Sequence, residues 1–122
     1  MLISTHRALP LLIAAHMPEL PVFVFSLEPA NDDAAVYSRM LAPVFGIAED
    51  PATGGAGGPL GGYLVSHGVV SAKQAEHLIN LQGVQMGRPS RIHISIGMHD
   101  IRIDEVRVVG QAVLVGEGTI EV

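Results

Sequence analysis

Six of the nine residues from Gly54 to Gly62 are glycine, yet the run passes directly into Tyr63-Leu64-Val65 and closes at His67-Gly68. A flexible linker is the alternative, but linkers are rarely followed by such an apolar block. The pattern therefore predicts a helix that starts near Ala56. Pro59 is tolerable only in its first turn, and Gly68 suits the position just past its end. Each interior glycine costs about 1 kcal/mol relative to alanine, so something must offset the loss. Close packing against surrounding backbone is the natural source. A helix threaded through a curled sheet would want small residues on several sides.

The rest of the pattern is β. Val22-Phe23-Val24-Phe25 is a short strand signal bounded by Pro21 and by Glu28-Pro29. Ala35 to Leu41 fits helix or strand, and Pro43 stops either. From Arg91 to Met98 the alternation is clean: Ile92, Ile94, Ile96 and Met98 share one face. His99-Asp100 reads as a turn. Ile101 and Ile103 alternate with Arg102 and Asp104, and the phase then slips, because Val106 and Val108 continue the apolar set. A bulge or turn at Asp104-Glu105 accounts for the slip. Ala112 to Val115, apolar on both faces, suits a central strand, and Thr119 to Val122 a last one. Residues 44 to 56 read as a loop feeding the helix.

A chain of 122 residues makes one domain, residues 1–122, and is long enough to hold a core unaided. Hydrophobic residues at 48% exclude a disordered tail. The net charge of -5, with scattered Lys and Arg, argues against nucleic acid as a partner. Cysteine is absent, which removes disulfides, thiolate metal sites and a cysteine nucleophile, and makes the cytoplasm the default location. Ala8 to Ala15 follows Arg7 in a faint imitation of a signal peptide, but Pro10, Pro18 and Pro21 interrupt it and a strand is the better expectation. No apolar run reaches the roughly 20 residues of a membrane helix, so no membrane partner is expected.

Chemistry concentrates in Glu49-Asp50-Pro51-Ala52-Thr53-Gly54-Gly55-Ala56, a carboxylate pair joined to a glycine-rich helix start. Amides at a helix N-terminus point outward with partial positive charge and suit a carboxylate or phosphate. Asp50 beside them could take a ligand amine or hydroxyl. The plainer alternative is that Asp50 and Thr53 only cap the helix. Gln85-Met86-Gly87-Arg88-Pro89-Ser90 lacks the glycines and lysine of a phosphate loop and reads as a turn before the alternating strand. The six histidines show no metal-binding spacing, so no metal is expected.

Several segments together resemble a known family. Arg39-Met40-Leu41-Ala42-Pro43, Gly46-Ile47 and Glu49-Asp50-Pro51-Ala52-Thr53-Gly54 are similar to the signature R-x-F-A-P-x-x-G-x-x-E-D-P-A-T-G-S-A of PhzF-like isomerases, named after phenazine biosynthesis. Gln82-Gly83 with Met86-Gly87-Arg88-Pro89-Ser90 resembles the family's Q-G-x-x-M-G-R-P-S. Val108-Val109-Gly110 with Ala112-Val113 resembles V-x-V-G-G-x-A-V, and Ser4-Thr5 before Leu9 to Ile13 resembles the lead into the second lobe.

The resemblance implies an α+β fold, a diaminopimelate-epimerase-like lobe with a curled mixed or antiparallel sheet around a central helix. It matches the C-terminal lobe of a two-lobed molecule. The implied activity is cofactor-independent proton transfer on a small amino or hydroxy acid. Asp50 would be the catalytic residue, and Asp50, Thr53, Gly54, Gly55 and Ala56 would hold a carboxylate-bearing substrate. The family's proton-transferring glutamate belongs to the N-terminal lobe, so it would come from a homodimer partner or from a separate N-terminal lobe. Three positions depart from the pattern: Gly55 replaces a serine, Gln111 a glycine, and His6 a residue that is often glycine. The Gly55 and Gln111 departures favour the other reading, a truncated, non-catalytic lobe that binds a small carboxylate or serves as an assembly module.

Overall fold

A computed structural model describes residues 19–27 and 33–121. Expectations for Ser4 to Ala15, His6 among them, lie outside those residues. The elements run β1 (Val22–Ser26), β2 (Val36–Ala42), β3 (Ile47–Asp50), α1 (Gly54–Ser66), α2 (Ala72–Ala75), β4 (Leu78–Gln82), β5 (Ser90–His99) and β6 (Arg102–Val109). Short 3-10 turns at Pro43–Phe45 and Val84–Met86 follow β2 and β4. The strands form one mixed sheet in the order β1-β2-β4-β5-β6, with β3 also on β2. All pairs are antiparallel except β2–β4. This is an α+β arrangement.

Register decides which side chains meet α1. Cross-strand partners share a face of the sheet. Val36, Asn80 and Ile92 form one row, and Leu78 pairs with Ile94 on the same face. Leu60 and Leu64, one helical turn apart, close the core over Val36, Leu78, Ile92, Ile94 and Ile96, with Ala75 of α2 beside them.

The ambiguous segment at 35–41 is strand. Val36 joins the core beneath α1, and both edges of the strand that follows, Val36–Ala42, are taken by other strands. The predicted bulge is present: Gly97 pairs with Glu105 and Met98 with Ile103, which leaves Asp104 as the extra residue. The turn after His99 has Asp100 at φ 54°, a left-handed conformation that aspartate tolerates.

Four expectations need correction. First, α1 begins at Gly54, two residues early, because Thr53 already has its carbonyl accepting the Ala56 N–H at 3.3 Å. Second, Pro59 therefore lies past the first turn, and the Gly55 carbonyl loses its i+4 donor. Third, residues 47–50 are strand rather than loop, since β4 stops at Ser38 and leaves the far half of the β2 edge free for β3. Fourth, residues 112–115 and 119–121 join no strand. Among the described residues the sheet ends at β6, so Val113, Leu114, Val115 and Ile120 have no neighbouring strand there and are more than 80% exposed.

Glycine in α1 is explained by side chains rather than by backbone. A Cβ on Gly61 would lie 2.7 Å from Ile94 Cγ2 and 2.9 Å from Ile96, and one on Gly57 would lie 3.1 Å from Val108. The bare helix surface thus lets α1 settle onto the branched residues of β5 and β6. The helix stops with two reverse bonds, Val69 N–H to the Leu64 carbonyl and Gly68 N–H to that of Val65, with Gly68 at φ 67°. This is the Schellman arrangement that glycine favours.

Two neighbouring substitutions separate these effects. Gly61→Ala is expected to lower stability by about 1–3 kcal/mol through overpacking. Gly62→Ala, whose Cβ would meet Ile103 at an ordinary 3.5 Å, is expected to raise it by up to about 1 kcal/mol. Urea midpoints of the two variants, at unchanged slope, provide the check.

Candidate functional site

The site forms where two strands share one edge of β2. β4 pairs with β2 at residues 36–38, and β3 takes over at 40–42. The ends of β3 and β4 therefore meet, which places Asp50 beside Gln82. The chain leaves Asp50 through Pro51-Ala52-Thr53 and enters α1 at once.

Gln82 is fully buried and uses both ends of its carboxamide. Nε2 donates to the Asp50 carbonyl at 2.8 Å and to Thr53 Oγ1 at 2.8 Å. Oε1 accepts from the Thr53 N–H at 3.2 Å. The Thr53 hydroxyl in turn donates to Asp50 Oδ2 at 2.6 Å. The other carboxylate oxygen, Oδ1, is 3.5 Å from the Ala52 N–H, at the limit of a hydrogen bond.

The next residue completes the clamp. Gly83 has φ 76°, and a Cβ there would overlap the Arg88 carbonyl oxygen and stand 2.8 Å from that of Pro51. Only glycine allows β4 to turn this close to the Asp50–Thr53 segment. On β2, Arg39 holds Glu49 in a two-point pair, Nε to Oε1 at 2.9 Å and Nη2 to Oε2 at 2.8 Å. The Glu49 carboxylate pushes the Arg39 guanidinium above its ordinary value, and burial acts in the opposite sense. This pair fixes β3, and hence Asp50, against β2.

The structure brings Asp50 and Thr53 into contact and leaves Gly54 and Gly55 exposed at the helix end. Ala56 turns its N–H back to Thr53 and is partly covered. Asp50 and Thr53 do not act as caps: Thr53 occupies the N-cap position, but its hydroxyl accepts from Gln82 rather than from the helix. Among the described residues, no group takes the Gly54 and Gly55 amides. Beside Ala52, an open cleft is lined by Ser90, Arg91, Gly110 and Gln111. Three segments singled out in the sequence therefore converge here. Arg91 reaches away to an ion pair with Asp33. No group of three or more metal-binding side chains occurs among the described residues.

Sequence reasoning did not include Gln82 in the site. The available signal was a polar residue closing a short, largely apolar strand that also holds Asn80, followed by glycine.

Comparison with known proteins identifies the family. A family model described as phenazine biosynthesis-like protein matches residues 6–118. The chain belongs to that family. It is 40% identical over 113 residues to the trans-2,3-dihydro-3-hydroxyanthranilate isomerase of Pseudomonas aeruginosa, which covers 93% of this chain and 37% of that protein. The enzyme of the same name from Pseudomonas fluorescens is 41% identical over 83 residues, 68% of this chain and 29% of the relative. An uncharacterized isomerase of Clostridium acetobutylicum is 36% identical over 94 residues, 76% and 31% respectively. The chain thus spans about a third of the length of these relatives.

Two substitutions test the clamp. Gly83→Ala combines left-handed strain with steric overlap and is expected to cost at least ~3 kcal/mol. Arg39→Met leaves the Glu49 carboxylate largely buried and unpaired, at a cost of roughly 3 kcal/mol. Thermal unfolding of both variants against the parent is the measurement.

Proposed function

We propose that this chain is a diaminopimelate-epimerase-like lobe of a PhzF-like isomerase and moves a proton on a small amino or hydroxy acid. The observation that carries this reading is the open end of α1. There the Gly54 and Gly55 amides lie uncapped beside the Asp50 carboxylate. A substrate carboxylate would sit on the amides, where aligned N–H groups favour negative charge. A substrate amine or hydroxyl would face Asp50. Charge that builds on the carboxylate side as a proton leaves the adjacent carbon is then met by fixed dipoles. The relatives' printed isomerase names support the reaction class.

Proton transfer also needs a group to carry the proton, and in this reading a second lobe supplies it, either from a homodimer partner or from a separate chain. The outer surface supports such a partner. Val113, Leu114 and Val115, with Ile120 further on, are exposed apolar residues without a sheet neighbour among the described residues. A segment apolar on both faces is suited to a strand position covered on both sides. Exposed apolar stretches of this kind mark association surfaces.

The second reading is a non-catalytic lobe that binds a small carboxylate or acts in assembly. Gly55 favours it, because glycine removes the hydroxyl that the family places at the helix start.

Light scattering at several concentrations decides whether the chain associates. In deuterated solvent, an active assembly is expected to exchange the carbon-bound hydrogen next to a carboxylate in a panel of amino and hydroxy acids. Asp50→Ala is expected to reduce that exchange by at least ~100-fold. Exchange that survives the substitution removes Asp50 from the site. A strictly monomeric chain with no exchange favours the second reading.

A further inference from the structure

We propose that Gln82 is a positioning residue that keeps the α1 end open by diverting Thr53 from its default role as an N-cap. This rests on the reading above that the open end faces the substrate. A threonine at an N-cap ordinarily turns its hydroxyl to the N–H of the second or third helical residue, here Gly55 or Ala56. In this protein the oxygen instead accepts from Gln82 Nε2 and its proton goes to Asp50 Oδ2. Gln82 also takes the Thr53 N–H, so it holds the residue at two points.

Two consequences follow from one side chain. The Gly54 and Gly55 amides stay unclaimed among the described residues, and the Thr53 hydroxyl proton is directed to the Asp50 carboxylate. The local sequence would otherwise cap itself. The carboxamide that prevents this comes from 29 residues away, is 0% exposed, and has both amide protons committed. Its other partner, the Asp50 carbonyl, fixes the start of the same turn. Gln82 touches no substrate group in this arrangement. It acts through Thr53.

Amide hydrogen exchange separates this role from a merely structural one, because the two predict opposite signs at one amide. In Gln82→Met, which keeps the side-chain length, Thr53 loses its restraint and is expected to cap the helix. Exchange at Gly55 then slows by roughly fivefold, the factor an ordinary N-cap is worth. Exchange at Thr53 itself quickens, since its acceptor is gone. If Gly55 and Thr53 both quicken, Gln82 only stabilises the fold and the proposal is overturned. If Gln82→Met does not fold, Thr53→Ala decides. A hydroxyl that is not a cap should leave Gly55 exchange within about twofold of the parent, and a rise of about fivefold overturns the proposal. Acetate titration of the parent, followed at the Gly54 and Gly55 amide resonances, isolates the underlying reading. Exchange as expected without any acetate response upholds the role of Gln82 and rejects the ligand site.

Discussion

The buried carboxamide of Gln82 is the interaction on which the rest of the site depends. It is the last residue of β4, and it bonds to both ends of the Asp50–Thr53 turn. A buried amide is stabilised when its donors and acceptor are used, and three bonds do so at Gln82, whereas the carboxamide of Asn80 on the same strand is buried without a partner among the described residues. Loss of one partner would leave buried groups unpaired, at about 1–3 kcal/mol each. The turn is therefore held by the sheet as well as by its own short-range bond from the Thr53 hydroxyl to Asp50. Arg39 and Glu49 do the same on the other side of the strand junction.

The central helix shows a similar exchange of local for tertiary stability. Its glycines and Pro59 are poor helix formers, and an isolated segment of this sequence would not persist in water. The compensation lies in contact with Ile94, Ile96, Val106 and Val108, which approach where a Cβ would stand. Packing density supplies what propensity withholds.

Much of this was legible in the sequence where periodicity is strong and local. The alternation of Ile92, Ile94 and Ile96 identified β5, and the apolar phase slip located the bulge at Asp104. Gly68 marked the helix end because only a left-handed residue closes a Schellman turn cheaply. Other features depend on partners distant in sequence. Residues 35–41 are strand because strands lie on both sides of them. Residues 112–115 look like a central strand from composition, but a strand needs neighbours and β6 is the last one present. At the site, the motif at 49–56 was visible, but its likeness to a capped helix start concealed where the Thr53 hydroxyl goes. Gln82 could not be read from its own surroundings, since its role comes from the register of β4 beside β2.

The Gly83 turn carries a consequence for how the site comes into being. A Cβ at Gly83 would stand 2.8 Å from the Pro51 carbonyl oxygen, so the final shape of the Asp50–Thr53 turn depends on where the parallel β2–β4 pairing sets the end of β4. Such pairing joins segments far apart in the chain and is slow compared with helix formation. The candidate site thus depends on contacts between segments distant in the chain. A peptide cut from residues 49 to 66 would carry the whole motif and none of its geometry.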